Sequence, residues 1–346
     1  MSLSIEAGPV LRAALERVLE GQDLVDTEAE AALHALLEDD SPRALQAAFL
    51  TALRAKGETA AELAGFARGL LAHAQRLELT LPLLVDTCGT GGDGTHSFNL
   101  SSAAALLVAA LGIPVAKHGN RAVSSRVGSA EFFEALGIAF PASPGAAEAA
   151  LERDGFAFLF APSFHPALAR LASLRRELGV RTVLNLLGPL VNPARPTHQL
   201  LGAATPALAQ RLASAALALG LERVFVVHGA GFDEATPCGP FRLWIPRHDG
   251  HGSLTLDPGS LGVARCNPED LAGGDARENA ERLVALFAGR ERGPLRDAVC
   301  LNAALVLLLV RRERDPRAAL EVARAALDDG RALRLLARLQ HAGGRP

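Results

Sequence analysis

Aromatic residues are scarce in this chain: tyrosine is absent, tryptophan occurs once, and only 4% of the 346 residues are aromatic. Because 49% of the residues are nevertheless apolar, leucine, valine and alanine must fill a sizeable core. The length predicts one large domain or two unequal ones. The cysteines show neither CxxC nor metal-site spacing, and we interpret them as scattered reduced thiols: Cys88, Cys238, Cys266 and Cys300.

A strong charge of either sign is also missing, since the formal net charge is −3. No general field attracts nucleic acid, so an anionic ligand must be held by local groups. The first residues do not combine a basic start with an apolar stretch, which argues against a signal peptide. The longest apolar run, 103–116, is too short to span a bilayer. We expect a cytoplasmic protein with no nucleic-acid or membrane partner.

The first 75 residues show apolar positions at helical spacing, which predicts an all-helical segment. Ser41-Pro42 and two capping-box patterns, Thr27-x-x-Glu30 and Thr59-x-x-Glu62, predict helix starts. Gly57 predicts a helix end.

From Leu83 onward, short β-like runs alternate with helical stretches, which predicts an α/β fold with a mostly parallel sheet flanked by helices. The predicted strands are Leu83–Asp86, Pro114–Lys117, Phe156–Phe160, Gln199–Ala203 and Arg223–His228. The predicted helices are Asn99–Leu111, Gly128–Leu136, Pro166–Leu178 and Pro206–Leu219. The stretch Pro240–Gly262 is predicted to be irregular apart from a strand at Phe241–Ile245, and the chain to be helical again from Glu278 to about Leu339.

Two polar loops, each after a predicted strand, form the most informative part of the sequence. The first, Gly89–Gly94, reads GTGGDG, and its glycines allow the backbone to approach a phosphate ahead of a helix N-terminus. The second begins with Lys117–Arg121, KHGNR, and continues to Ser124 and Ser125, adding cations and hydroxyl groups. Two such loops predict a pocket for a phosphorylated ligand.

The glycine loop has three interpretations. It could be a tight turn. It also matches the GxGxxG dinucleotide fingerprint, but the position where an acidic residue is expected is basic, at Lys117, and the helix is predicted to start only near Asn99 or Ser101. A P-loop is excluded because GxxxxGK[ST] does not occur. The third interpretation is a diphosphate site, with Asp93 on a sugar hydroxyl or beside Mg²⁺.

Other candidates have two interpretations each. Asn99, Ser101 and Ser102 could simply cap a helix, or they could reach phosphate and Mg²⁺. The adjacent carboxylates Asp233 and Glu234 are either solvated or form a Mg²⁺ site after a strand. Lys117 is either a surface lysine or a phosphate-binding one. His118 and His165 are either core residues or pocket residues. Arg175 and Arg176 either complement a helix dipole or bind an anion.

The run GTGGDG…FNLSS, followed by AKHGNRAVSSRVGSAEFFEALG, resembles the anthranilate phosphoribosyltransferases. Further motifs follow in the same order: FLFAP from Phe158, LRRELG from Leu174, RTVLNLLGPL from Arg181, VVHG from Val226, FDE from Phe232 and GPLRD from Gly293. The resemblance covers about residues 5–335. It implies a small helical domain of residues 1–77, joined by a segment near 165–190, and a large α/β domain of residues 78–164 and 191–346.

This resemblance implies that the 5-phosphoribosyl group of phosphoribosyl pyrophosphate is transferred to the amine of anthranilate, with release of pyrophosphate. It also implies a homodimer that uses Mg²⁺. We expect no general base, because the amine of anthranilate is already a neutral nucleophile at pH 7.

The resemblance further implies three sets of site residues. Those for phosphoribosyl pyrophosphate are Gly89, Thr90, Gly91, Gly92, Asp93, Ser97, Asn99, Ser101, Ser102, Lys117, His118, Gly119, Asn120, Ser124, Ser125 and Ser129. Those for anthranilate are Gly89, Asn120, His118, His165, Arg175, Gly188 and Pro189. Those for Mg²⁺ are Ser101, Asp233 and Glu234.

The sequence argues against two other functions. Pyrimidine nucleoside phosphorylases share the architecture but carry a KHSTGG-like phosphate loop, which this sequence lacks. A catalytically idle relative that binds nucleic acid would have a degraded GTGGDG loop and a basic surface, whereas here the loop is intact and the net charge is −3.

Overall fold

The computed structural model describes residues 6–122, 126–247 and 250–343. Four helices come first and pack against one another: α1 (Ala7–Leu19), α2 (Asp26–Leu37), α3 (Arg43–Lys56) and α4 (Ala60–Ala72). The Thr59 hydroxyl accepts a hydrogen bond from the Glu62 amide, and the Glu62 carboxylate accepts one from the Thr59 amide. This reciprocal pair fixes the start of α4, as the capping-box pattern predicts.

A seven-stranded sheet follows, with the order β3-β2-β1-β4-β5-β6-β7. Its first five strands are parallel, and the last two continue from β5 as an antiparallel hairpin. The strands are β1 (Val85–Gly89), β2 (Val115–Gly119), β3 (Phe156–Phe160), β4 (His198–Gly202), β5 (Arg223–Gly229), β6 (Phe241–Arg247) and β7 (Gly250–Leu256).

Helices on both faces connect and cover these strands. They are α5 (Leu100–Ala110), α6 (Ser129–Leu136), α7 (Pro144–Asp154), α8 (Ala161–Phe164), α9 (Ala172–Leu178), α10 (Val183–Leu186), α11 (Pro206–Ala218), α12 (Ala276–Phe287), α13 (Pro294–Leu309), α14 (Pro316–Asp328) and α15 (Arg331–Ala342). None of the helices found in the three described stretches is long and apolar enough to cross a membrane.

The core has two main parts, one on each face of the sheet. One packs α5, α6 and α12–α15 against residues such as Leu200 and Phe225. The other packs α1–α4, residues 171–191 and α11 against Leu201 and Val226. Consecutive residues of one strand thus face opposite parts of the core, as the two-residue period of a strand requires. Because both faces are covered, the parallel strands are buried along almost their whole length.

The predicted fold class is confirmed, but several predicted elements differ. The irregular stretch 240–262 contains the β6–β7 hairpin, and α7 was not predicted. The predicted helix Pro166–Leu178 is a 3₁₀ turn, Pro166–Leu171, followed by α9. The C-terminal region is helical as predicted, and it consists of four helices, α12–α15.

Two predicted helix starts are also wrong. The helix expected after an N-cap at Thr27 begins two residues earlier, with Val25 as its N-cap, and the Glu28 carboxylate accepts a hydrogen bond of 3.0 Å from the Val25 amide. At Ser41-Pro42 the proline has extended backbone and precedes α3, so it is not the first helical residue.

Candidate active site

The strand order changes direction between β1 and β4, and the chain leaves both strands at the same edge of the sheet. In parallel α/β sheets this edge is where ligands bind. The last residues of β1 and β4, Gly89 and Gly202, pair with each other in the sheet. A Cβ at Gly89 would lie 2.4 Å from Asp233 Oδ2, and one at Gly202 would lie 1.8 Å from the Asp233 carbonyl oxygen. The two glycines therefore allow the Asp233 loop to lie across the strand ends.

Asp233 and Asp93 meet at this edge, although 140 residues separate them. The Gly91 amide donates to Asp233 Oδ2 over 2.9 Å, and the Asp233 amide points toward Asp93 Oδ2 at 3.4 Å. Asp93 also accepts hydrogen bonds from the amide and hydroxyl of Thr95. The glycine loop and the Asp233 loop are thus joined directly, as the interpretation as a diphosphate and metal site requires.

Glu234 adds a third acid to Asp93 and Asp233 and connects them to the start of α5. Its Oε1 accepts a hydrogen bond of 3.0 Å from the amide of Ser101, in the first turn of that helix. Burial, and then the charge of Asp93, raise the pKa of Asp233 to about 7. Burial, followed by Asp233 and Asp93, raises the pKa of Glu234 well above its usual range. Burial and mutual repulsion thus oppose ionisation, which a bound cation would relieve.

The described part of the chain holds no group of three or more His, Cys, Asp or Glu side chains arranged to hold a metal ion by themselves. Magnesium does not need such a cage, because it commonly binds one or two carboxylates together with water and substrate phosphate oxygens. The neighbouring carboxyl groups of Asp233 and Glu234 fit that donor set.

Lys117, whose charge acts on Glu234, lies in the middle of β2 and is 2% exposed. Its ammonium donates to the Thr87 carbonyl and lies 3.4 Å from Ser101 Oγ. Burial lowers the pKa of Lys117, while the carboxylate of Asp86 opposes that shift most strongly. The lysine therefore lies among β1, β2 and α5 and is not a surface residue.

Asp86, which the sequence did not single out, is the buried partner of this lysine. Its Oδ2 accepts from Asn192 over 2.9 Å and from Gln199 over 3.3 Å. Burial raises the pKa of Asp86, and Lys117 is the largest opposing influence. An aspartate inside an otherwise apolar predicted strand was the available signal for this network.

His118 and His165 lie side by side, with ring centroids 5.2 Å apart and an edge-on orientation. His118 Nδ1 pairs with the Gly188 carbonyl at 3.1 Å, and His165 Nε2 pairs with the Val191 carbonyl at 2.8 Å. Burial lowers the pKa of His118 to about 3 and that of His165 to about 4, so both rings are neutral at pH 7. The structure thus brings together His118, His165 and Gly188, and buried Pro189 follows Gly188.

Arg175 and Arg176 lie in the last turn of α9, as predicted, and they differ in environment. Arg175 is half-buried and Arg176 is exposed. Burial lowers the pKa of Arg175. Its guanidinium makes no hydrogen bond or ion pair with any residue that the structure describes, so contact with Asn120 or the glycine loop is not observed.

Arg181, the first residue of the RTVLNLLGPL motif, also lies at the site, although the motif alone does not indicate this role. Its Nη2 donates to the Thr90 carbonyl over 3.3 Å. A Cβ at Gly92 would lie 1.5 Å from Arg181 Nη1, so the guanidinium lies directly against the glycine loop. This contact joins the 165–190 segment to the predicted phosphate loop.

The second loop turns back at Gly119, where a Cβ would lie 2.1 Å from Ser129 Oγ. Ser129 Oγ in turn donates to the Asn120 carbonyl over 3.3 Å. Ser124 and Ser125, predicted to bind phosphate, lie outside the described residues.

Three further candidates at α5 have structural contacts of their own. Asn99 Nδ2 donates to the Val127 carbonyl, and its Oδ1 accepts from Asn279. Ser97 pairs with Ala272 in an isolated β bridge. Ser102 is buried in the first turn of α5. Asn99 precedes the helix but makes no capping hydrogen bond, and the two serines at 101 and 102 are inside it.

Comparisons with known proteins agree with this architecture. Residues 12–74 match the glycosyl transferase family helical bundle domain, and residues 81–333 match the glycosyl transferase family a/b domain. An anthranilate phosphoribosyltransferase of Desulforudis audaxviator is 45% identical over 331 residues, covering 95% of this chain and 95% of the relative. One from Methanosarcina acetivorans is 43% identical over 92% of this chain and 86% of the relative.

Solved structures are similar along the whole chain. The anthranilate phosphoribosyltransferase of Thermus thermophilus has a TM-score of 0.89 at 40% identity, covering 96% of this chain and 99% of that one. The Saccharomyces cerevisiae enzyme in complex with PRPP and Mg also has a TM-score of 0.89, at 27% identity, covering 97% of this chain and 98% of that one. On these matches, and with Asp233 bonded to the glycine loop and Glu234 to the start of α5, the chain belongs to the anthranilate phosphoribosyltransferase family.

Proposed function

We propose that this chain transfers the 5-phosphoribosyl group of phosphoribosyl pyrophosphate to the amine of anthranilate, releasing pyrophosphate, as a step of tryptophan biosynthesis. At residue level, the proposal rests on the hydrogen bonds that connect Gly91, Asp93 and Asp233 beside the N-terminus of α5. The yeast relatives support the substrates, since one is a complex with PRPP and Mg and another a complex with 4-fluoroanthranilate.

The glycine loop and the start of α5 are proposed to hold the diphosphate. Gly91 and Gly92 are exposed and have positive φ angles of 57° and 77°, and no atom lies within 4 Å of a Cβ built at Gly91. A ligand can therefore approach the loop backbone closely. Lys117 supplies a positive charge from β2, and Arg181 supplies one from the 165–190 segment.

Asp233 and Glu234 are the proposed Mg²⁺ ligands, together with the Ser101 hydroxyl. When bound, the ion would stabilise the negative charge that grows on the departing pyrophosphate. The protein groups act by positioning and by charge, because the anomeric carbon acquires oxocarbenium character as the leaving group departs.

The anthranilate site is proposed at Asn120, His118, His165, Arg175, Gly188 and Pro189. Arg175 is the cation for the carboxylate of anthranilate, since a half-buried guanidinium without a partner among the described residues has donors available. The two histidines stay neutral and offer uncharged ring edges. We assign no general base, because the amine needs none to attack.

We further propose that residues 1–77 with 165–190 form a small domain that closes onto the large one (78–164 and 191–346). Contacts between Arg181 and the glycine loop, and between His118 and Gly188, lie on the proposed boundary. Closure would exclude water from the activated sugar. A cytoplasmic homodimer is the proposed state, as the family resemblance implies.

The decisive experiment follows the fluorescence of anthranilate with phosphoribosyl pyrophosphate and Mg²⁺. We expect a loss of fluorescence only when both are present, and none after metal removal with EDTA. Asp233→Asn and Glu234→Gln should raise the Mg²⁺ concentration for half-maximal rate at least about tenfold, whereas Glu281→Gln, which changes an exposed acid on α12, should not. Phosphorolysis of a pyrimidine nucleoside in place of this reaction would identify the alternative enzyme, and full activity after EDTA treatment would exclude the metal site.

A further inference from the structure

Cys238 and Cys266 are neighbours in the structure, although 28 residues separate them in the sequence. Their Sγ atoms are 3.4 Å apart, within hydrogen-bonding distance for thiols. Both side chains are half-buried, whereas Cys88 and Cys300 are buried, and all four are free thiols. The cysteines are thus free thiols, as interpreted from the sequence, but Cys238 and Cys266 are not scattered in space.

The pair connects two segments that support the proposed active site. Cys238 lies in the connection between β5 and β6, four residues after Glu234. Cys266 begins the stretch that leads to Leu271 and Gly273. The Leu271 carbonyl accepts from the Phe98 amide over 2.8 Å, and the Gly273 amide donates to the His96 carbonyl over 2.9 Å. A bond between the two sulfurs would thus tie the carboxylate loop to the segment that borders the glycine loop.

Asn302 holds the same carboxylate loop from α13. Its amide group donates to the Ala235 carbonyl over 2.8 Å, and its Oδ1 accepts from the Ala235 amide over 3.2 Å. This attachment lies between Glu234 and Cys238 along the chain. Only a short segment, held to α13 at Ala235, therefore separates Cys238 from the carboxylates.

We propose that Cys238 and Cys266 are a redox modification site at which a low-molecular-weight disulfide converts the two thiols to an intramolecular disulfide. One cysteine sulfur, having lost its proton, attacks the reagent R–S–S–R to form a protein mixed disulfide and releases R–S⁻. The second cysteine then attacks the protein sulfur of that mixed disulfide and releases the other R–S⁻. The protein loses two electrons and two protons, and the reagent becomes two R–SH.

The reaction is expected to be slow and reversible. Burial, and then the hydrogen bond with Cys238, raise the pKa of Cys266 to about 12, so that thiol is protonated at neutral pH. Since the thiolate is the nucleophile, little of Cys266 can react at any moment. Disulfides that form on folded intracellular proteins are typically of this transient, regulatory kind.

Bond formation would also move the carboxylate loop. A disulfide bond is about 2.05 Å long, so sulfurs 3.4 Å apart must approach each other by more than about 1 Å. A displacement of that size near reacting groups can cost about a hundredfold in rate. Oxidation should therefore weaken Mg²⁺-dependent activity, an effect that rests on the proposed function.

The site itself can be tested without any activity measurement. The protein is incubated with glutathione disulfide, free thiols are alkylated, and a non-reducing tryptic digest is examined by mass spectrometry. Cys238 and Cys266 fall in separate tryptic peptides, 224–242 and 266–277, and neither contains another cysteine. We expect the two to be cross-linked with a loss of two hydrogens, and the cross-link to disappear with dithiothreitol.

Cys238→Ser and Cys266→Ser provide matched controls in which the partner thiol remains. Each should give at most a mixed disulfide with glutathione, and no cross-linked peptide. If both thiols of the unmodified sequence stay fully alkylated, or if only mixed disulfides form, the proposed site is wrong.

The functional consequence is tested by titrating Mg²⁺ in oxidised and reduced protein. We expect oxidation to raise the half-maximal Mg²⁺ concentration at least threefold, dithiothreitol to reverse this, and the two serine variants to be insensitive to the oxidant. A confirmed cross-link with unchanged Mg²⁺ dependence would show that the disulfide does not affect the carboxylate loop. Absence of phosphoribosyl transfer in fully reduced protein would instead overturn the proposed function, while the peptide map would still decide the redox site.

Discussion

At the scale of single residues, Arg175 and Arg176 are neighbours with different roles: Arg175 is proposed to bind the ligand, and Arg176 is a surface charge. Neighbours on a helix point about 100° apart, so only one of them can face a given pocket. Arg175 is the half-buried member, and it has no partner within the described structure. A guanidinium binds a carboxylate with two charge-assisted hydrogen bonds, and its loss costs roughly 2–4 kcal/mol, or about 30- to 1000-fold in affinity.

Arg175→Ala is therefore expected to raise the KM for anthranilate far more than the KM for phosphoribosyl pyrophosphate. Arg176→Ala, the matched control, should change either constant by less than about threefold. Steady-state kinetics with each substrate varied will decide. Equal effects of the two substitutions would contradict the assignment.

Arg181 and Gly92 form the second pair at this scale. A methyl group at Gly92 would collide with the end of a flexible side chain, so it should displace the guanidinium without preventing folding. Gly92→Ala and Arg181→Ala are each expected to raise the KM for phosphoribosyl pyrophosphate several-fold. Because both remove one contact, their effects should not add in the double variant.

The cost of a side chain at positive φ must be separated from the loss of this contact. Gly21→Ala is the control, since Gly21 has a φ of 74° and nothing within 4 Å of the added Cβ. It should leave the KM unchanged. Full additivity of the Gly92 and Arg181 substitutions would show that the two residues act separately.

At the scale of elements, the sequence predicts the buried parallel strands well, because their continuous apolar runs are distinctive. The end of the sheet is harder to predict. β7 contains two glycines and few β-forming residues, GHGSLTL, and it is a strand because its backbone pairs along the length of β6. Local propensity cannot reveal such a pairing. In contrast, α7 had a usable signal, since Ser143 caps it and Pro144 is its first residue.

The same distinction applies to the site. Both loops and the carboxylate pair are visible as motifs, and they meet because parallel strands end at one edge of the sheet. The contact of Arg181 with Gly92 and the pairing of Asp86 with Lys117 depend on side-chain packing between distant segments. No local pattern indicates the contact of Arg181 with Gly92 or the proximity of Cys238 and Cys266. For Asp86 the sequence offers a signal, an aspartate in an otherwise apolar predicted strand, but it does not reveal that Lys117 is the partner.

The strand end at Gly202 gives a prediction about an element junction. A Cβ there would lie 1.8 Å from a backbone oxygen of Asp233, which cannot move without displacing the loop. Gly202→Ala should destabilise the protein by about 1–3 kcal/mol, as overpacking does. Gly145→Ala, in the first turn of α7 with open space around it, should be neutral or slightly stabilising. Urea unfolding of both variants tests this, and equal stabilities would contradict it.

At the scale of the whole molecule, buried histidines join the two proposed domains. His118 lies in β2 of the large domain, while His165 and the carbonyl of Gly188 belong to the 165–190 segment. The helical bundle, this segment and one face of the sheet also share a single apolar cluster. The two proposed domains are therefore joined by packing as well as by the chain, and protonation of either histidine must disturb that junction.

Stability should consequently fall in acid for a defined reason. Burial holds the pKa of His118 at about 3 and that of His165 at about 4, below the ordinary value of 6.5. The folded protein keeps both rings neutral, while the unfolded chain binds a proton at each below pH 6.5. Their stabilising contribution is fully present above pH 6.5 and is lost as the pH falls toward 4. At pH 5 the loss is about 2 kcal/mol for each histidine.

Urea unfolding at pH 8 and pH 5 measures this loss, in the unmodified protein and in His118→Gln and His165→Gln. Each variant should be less sensitive to acid by about 2 kcal/mol, because glutamine does not titrate. His341→Gln, which changes an exposed histidine near the end of α15, should retain the full pH dependence. If His118→Gln and His165→Gln lose as much stability as the unmodified protein between the two pH values, the buried neutral histidines are not the cause of its acid sensitivity.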